Sequence, residues 1–147
     1  MLIRRGEPFL AHSGSPAETR RIGRALGNVL GRGDTVFIYG DVGAGKTVFV
    51  SGIASALGIG GHIQSPTYTI ASMYLGDALL YHFDAYRIES PAELFETGFF
   101  DCSGGDCVVA VEWADRIAGA KPDGCIEVWL GAVDGDDGQR TVKIAFG

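Results

Sequence analysis

Cysteine is scarce in this chain, with 3 in 147 residues, and an odd number cannot close a disulfide framework. Cys102 and Cys107 stand close together in DCSGGDC and Cys125 stands alone, while no histidine-rich segment offers the further ligand that a structural zinc needs. Free thiols in a reducing cytoplasm are therefore the expectation. Long apolar runs are missing too. Nothing approaches the roughly 18 residues of a membrane-spanning helix, and the arginine-bearing N-terminus lacks the apolar stretch of a signal peptide. The chain reads as cytoplasmic, with no membrane contact. Positive charge is also limited. Lys and Arg number 12 against 18 Asp and Glu, a net charge of −6, so the chain as a whole is a poor binder of a phosphate backbone.

That charge is unevenly placed. Residues 1–32 hold six arginines and two glutamates, a net of +4, whereas residues 33–147 hold six basic and sixteen acidic residues, a net of −10. The basic stretch is either a solvated helix face or a contact for an acidic partner or RNA. Glycine is abundant, at 23 residues, which signals turns and close backbone approaches. The length suits one domain spanning 1–147 with a real core, and there is no internal repeat, low-complexity tract or linker.

The order of elements is legible from capping and periodicity. Ser15, Pro16 and Glu18 form a capping box that opens a helix whose apolar residues are Ile22, Ala25, Leu26, Val29 and Leu30, with Gly31 to end it. TVFIY, 35–39, is a buried strand, and a second helix runs from Lys46 to about Leu57, stopped by Gly58. SPTYTIASMYL and ALLYHFDAYR predict a hairpin turning at Gly76 and Asp77. Ser90, Pro91 and Glu93 open a short helix that Gly98 closes. CVVAVEW, 107–113, is continuously apolar up to its carboxylate, as a central parallel strand should be. CIEVWLGAV and RTVKIAF alternate with period two around DGDDG, a closing antiparallel hairpin. Together these give an α/β domain with a mixed sheet.

The chemistry concentrates in GDVGAGKT, Gly40 to Thr47, which fits G-x-x-x-x-G-K-[ST] between a strand and a helix. Glycines let backbone N–H groups turn toward phosphates at a helix N-terminus, and Asp41, Val42, Gly43, Ala44, Gly45, Lys46 and Thr47 make up that cradle. Lys46 is placed to reach the β- and γ-phosphates, and the Thr47 hydroxyl to ligate Mg²⁺. Such a loop needs an acidic partner on a neighbouring strand. Asp84 and Glu112 both end apolar runs. Glu112, on the better strand, is assigned to the magnesium shell, and Asp84 to the attacking water or a second metal contact. Which of them holds the metal directly stays open.

Thr67 or Thr69 in SPTYT can meet the γ-phosphate or the metal as switch loops do, or the stretch is simply a turn into a strand. Alternation puts His82 on the same face as Asp84, as a structural or a catalytic histidine. Trp113 and Trp129 read as packing residues.

Taken together, GDVGAGKTVFV, SPTYT, YHFDAYR, AELFETGFFD and VEWADR resemble, in order and spacing, the TsaE (YjeE) family of small bacterial P-loop ATPases of tRNA threonylcarbamoyl-adenosine synthesis. The similarity runs from about Ser13 to the C-terminus. It implies a P-loop NTPase-like, three-layer α/β fold with a mixed parallel and antiparallel sheet, ATP and Mg²⁺ as cofactors, and slow ATP hydrolysis in isolation. It also implies partners, the TsaD–TsaB pair, with tRNA reached mainly through that complex. By position it makes Lys46 and Thr47 the phosphate and magnesium residues, Thr67 the switch-loop threonine, Asp84 an essential aspartate and Glu112 the magnesium glutamate. Ser15 and Arg140 are placed near the nucleotide by the same resemblance. Val48 departs from the family's usual second threonine. A P-loop small-molecule kinase and a nucleotide-gated binding module with little turnover are the alternatives, while the lack of an Asn-Lys-x-Asp motif argues against a GTPase.

Overall fold

The computed structural model describes residues 2–41, 43–61, 63, 71–133 and 135–147, and the backbone alone at Asp136 and Asp137. Strand β1, Phe9–Ser13, enters helix α1, Pro16–Gly27, through the expected cap. The Ser15 side chain accepts from Glu18 N at 3.2 Å, and the Glu18 carboxylate reaches back to Gly14 N at 2.7 Å. Strand β2, Thr35–Tyr39, leads through the glycine loop to helix α2, Lys46–Ala56. Strands β3, Ala71–Leu75, and β4, Leu79–Asp84, make the hairpin, followed by a 3-10 turn over 85–87. The hairpin's first residues, 65–70, lie outside the described residues. Two short helices follow, α3 at Pro91–Glu96 and α4 at Phe99–Cys102. Strand β5, Val108–Glu112, then a 3-10 segment over 114–120, and strands β6, Ile126–Val133, and β7, Asp136–Ala145, complete the chain.

The sheet order is β1-β7-β6-β2-β5-β4-β3. β6, β2, β5 and β4 run parallel, and the antiparallel pairs lie toward the edges: β3 with β4, β6 with β7, β7 with β1. This is the mixed α/β sheet expected from the sequence, with β5 central and parallel on both sides. Alternation along the strands sorts two apolar layers. Val36, Ile38, Val108, Ala110 and Val128 pack with Ile22 and Leu26 of α1 and Phe49, Val50 and Ile53 of α2. Phe37, Val109 and Val111 face the other way, onto Leu94, Phe99 and Ile117. The three layers follow from that division.

Helix α1 ends at Gly27, short of Gly31, because beyond the cap Asn28 the N–H groups of Val29 and Leu30 turn to Leu26 O and Gly27 O in a tighter pattern. Its middle is pressed against α2. A Cβ on Gly23 would sit 2.2 Å from Phe49 O, and one on Gly52 would sit 2.1 Å from Arg20 O. The two helices approach backbone to backbone, which fixes the start of α1 beside the start of α2. Gly98 closes α3 as expected: it follows the C-cap Thr97 in a left-handed conformation, φ +82°, and α4 starts directly after it. Arg20, Arg21 and Arg24 lie exposed on α1. No helix among the described residues is long and apolar enough to cross a membrane. Cys102, Cys107 and Cys125 are free; burial pushes the thiols of Cys107 up to about 11 and Cys125 up to about 12, so both stay protonated at neutral pH.

Candidate functional site

The parallel strands all end on one side of the sheet, and β2 leaves there into a loop that only glycine can shape. Gly40 has φ +155°, and a Cβ on it would lie 2.7 Å from Leu130 O. Gly43 and Gly45 have φ +80° and +98°, in the left-handed region where other residues are strained. Loop and helix start form one wall of a cavity of about 630 Å³. The other walls are Gly14, Ser15, Pro16 and Thr19 at the entry to α1, Glu112 and Trp113 at the end of β5, and Gly138 and Arg140 of β7. The volume is that of a small-molecule site.

Lys46 is buried in this wall. Its ammonium donates to Gly40 O and, at 2.9 Å, to Asp41 O, and it lies 4.0 Å from the centroid of the Trp113 ring. Burial pulls its pKa down, and the charges of Glu112, Asp41, Asp84 and Asp115 only partly oppose that. A further anion beside the ammonium would offset the same desolvation. Thr47 donates its hydroxyl to Glu112, at 3.1 Å to Oε1 and 3.0 Å to Oε2. The Glu112 carboxylate, nearly fully buried, also meets His82 Nε2 at 2.5 Å. With the carboxylate as acceptor, Nε2 is the donor of this bond. Among the described residues His82 Nδ1 has no partner, and the ring is completely buried. Thr47 and Glu112 thus present oxygen donors of the kind a hard divalent cation takes. Among the described residues no three His, Cys, Asp or Glu side chains gather to hold a metal by themselves. A cation at this pair needs ligand oxygens from elsewhere, such as phosphates.

Asp84 ends β4 in register with Glu112 at the end of β5, yet it does not wall the cavity. Its side chain accepts from Tyr86 N at 2.9 Å and caps the following turn. Burial pushes its pKa up, and the neighbouring Glu112 adds to that rise. Arg140 donates to Gly43 O at 3.2 Å, tying β7 to the glycine loop. Asp41 contributes its carbonyl to Lys46 but is not in the wall, and Val42 and Thr67 lie outside the described residues.

The same architecture recurs in known proteins. The family model described as threonylcarbamoyl adenosine biosynthesis protein TsaE matches residues 13–142. This chain belongs to the TsaE family. It is 38% identical over 133 residues to the tRNA threonylcarbamoyladenosine biosynthesis protein TsaE of Treponema pallidum, covering 90% of this chain and 97% of that one. Against the Bacillus subtilis protein of the same name it is 36% identical over 134 residues, covering 90% and 83%. The crystal structure of Bacillus subtilis YdiB superposes with a TM-score of 0.81 at 30% identity, over 99% of this chain and 90% of that one. The P-loop NTPase-like fold follows.

Within this TsaE-family fold the structure brings together Ser15, Gly43 to Thr47, Glu112 and Arg140, four separate stretches of sequence. Trp113 corrects its reading as a packing residue. It has a left-handed backbone, φ 56° and ψ 38°, which is costly without glycine, and its ring lies on Lys46 and walls the cavity. Its position directly after the strand-end carboxylate was the available clue. Trp129 does pack, stacked on Tyr39 at 5.4 Å. Thr19 was not anticipated; it is buried, bonded to Ser13 Oγ at 2.7 Å, and forms part of the wall. His82 of β4 reaches Glu112 on the neighbouring strand β5, a contact that sequence alternation alone does not reveal.

Proposed function

We propose that this protein binds ATP with Mg²⁺ in the cavity beneath the glycine loop and hydrolyses it, slowly on its own, in support of the TsaD–TsaB pair during threonylcarbamoyl-adenosine modification of tRNA. The observation that carries this reading is the convergence of Lys46, Thr47 and Glu112 at the mouth of a glycine loop on the carboxyl side of a parallel sheet. Gly43, at φ +80°, takes a left-handed backbone that lets the loop turn its N–H groups toward a phosphate. The residues fit a triphosphate and a divalent ion: a buried cation, a hydroxyl, a carboxylate and a helix N-terminus with no side-chain cap. Mg²⁺, when bound, neutralises the charge that develops between the β- and γ-phosphates.

The residues divide the remaining work. Lys46 binds the phosphate charge, and its two loop carbonyls and the Trp113 ring hold it in place. Thr47 and Glu112 hold the metal side, with the Nε2–H of His82 fixing the carboxylate. Asp84 sits one strand away with a raised pKa, and it orients or accepts a proton from the attacking water. Attack by that water on the γ-phosphorus breaks the bond to the β–γ bridging oxygen and releases ADP and phosphate. Ser15, Pro16 and Arg140 close the opposite side of the nucleotide.

The test is phosphate release from Mg·ATP by the purified chain, alone and with the TsaD–TsaB pair. The expected result is a slow basal rate that rises with the pair. A rate indifferent to the pair would sink the partner assignment, and phosphate recovered in an added metabolite would make the protein a kinase.

A further inference from the structure

The segment AELFETGFFD is not absorbed by the nucleotide site, and its structure is unusual for a surface. Phe95 is 72% exposed and Phe100 47% exposed, their rings 6.2 Å apart, while Phe99 between them is buried as their anchor. Tyr86, 50% exposed, lies under Arg116, which lines the groove next to them. This groove, of about 330 Å³, has apolar walls that include Ile88, Pro91, Leu94, Phe100 and Ile117. Large aromatics gathered on an open groove mark an interaction site more often than chance exposure does.

The charge around the groove states what kind of partner fits. Residues 91–102 carry Glu93, Glu96 and Asp101 and no basic residue, and Glu89 precedes them. None of these four carboxylates forms an ion pair among the described residues. Arg116, which edges the groove, lies over the Tyr86 ring at 5.0 Å. Such a rim repels nucleic acid and attracts cationic side chains. The face also reaches the nucleotide cavity through rings in contact: Arg116 over Tyr86, Tyr86 against Trp113 at 5.0 Å, and Trp113 on Lys46.

We infer that the Phe95–Phe100 face is the docking surface for a protein partner that inserts an apolar side chain flanked by lysines or arginines, and that docking there bears on the nucleotide site through Tyr86 and Trp113. This rests on the partner reading given above. The experiment uses the full chain with Mg·ATP and measures binding to the TsaD–TsaB pair by calorimetry at low and moderate salt. F95S/F100S should weaken binding at least tenfold. The exposed charge reversal E96K/D101K, which leaves the aromatic packing alone, should weaken it several-fold and flatten its salt dependence. Both variants should keep the wild-type nucleotide affinity and basal rate, but lose stimulation by the pair. Wild-type affinity in both variants would overturn the inference while leaving the partner reading intact. Failure of the wild-type chain to bind the pair would overturn the partner reading and this surface with it. Loss of affinity for tRNA alone, with the pair still bound, would make the face an RNA-stacking surface and reject a protein partner.

Discussion

Strands β4 and β5 lie side by side, run parallel and end in carboxylates at the same register, Asp84 opposite Glu112. From sequence the two ends are nearly interchangeable. In the fold they are not. Glu112 is buried between the Thr47 hydroxyl and the His82 ring, so its oxygens are aimed at the glycine loop. Asp84 is half-buried, is spent partly on capping its own turn, and has its pKa pushed up by burial and by Glu112. Register places a carboxylate, but the neighbours across the sheet decide what it is for.

The largest effect should come from the buried end. Glu112→Ala should leave ATP bound and cut turnover by about a thousandfold, the scale of losing one preorganised electrostatic element; phosphate release under saturating ATP reads it directly. Wild-type turnover in that variant would remove Glu112 from the chemistry. Lys46, which sits in the field of both carboxylates, gives the next test. Lys46→Ala should weaken ATP by about 2–3 kcal/mol, near a hundredfold in Kd, as loss of a charged hydrogen-bonding partner implies. Equilibrium binding with a fluorescent ATP analogue checks this.

Asp84→Asn separates the two ends more finely. Turnover should fall by about a hundredfold, as for loss of a general base, while the Mg²⁺ concentration for half-maximal rate stays put. His82→Asn should do the reverse, shifting that Mg²⁺ concentration upward by about tenfold, as orienting partners of metal ligands do, with a smaller loss of maximal rate. If both variants shifted the Mg²⁺ dependence equally, the distinction between the strand ends would collapse.

The smallest effect is in stability, and here sign matters. The folded pKa of Asp84 lies above its ordinary 3.8, so its ionisation costs stability as pH rises through the folded value. Asp84→Asn keeps a capping oxygen and should raise the melting temperature near pH 7 but not below pH 3.8. Asp34 behaves oppositely. Burial pushes its pKa up, but the guanidinium of Arg5, at 2.7 Å, and the N–H of Gly31 outweigh that and hold it below 3.8. Its contribution, about 1 kcal/mol for a partly exposed pair, is present at neutral pH and is lost as pH falls through the folded value. Asp34→Asn should therefore lower the melting temperature at pH 7 with turnover unchanged. Melting curves across pH would expose either sign as wrong.

Local features were legible because their causes are local. The Ser15 and Ser90 caps, the alternation in TVFIY and the strand-to-helix frame of GDVGAGKT each depend on residues within a few positions of one another. Strand β1 was not read, because FLAHS is short and its edge position leaves Leu10 exposed. The close approach of α1 to α2 was not legible, because Gly23 and Gly52 meet each other's helix backbone from positions 29 residues apart.

By itself, then, the sequence determined which residues can make a phosphate cradle and where parallel strands end in acid, since backbone freedom and side-chain chemistry are properties of single residues and short runs. Only the tertiary structure decided that Trp113 lies on Lys46, that His82 holds Glu112, and that Ser15 and Arg140 face the glycine loop across one cavity. Those contacts join positions up to 125 residues apart, and what sets them is sheet order and the close approach of α1 to α2.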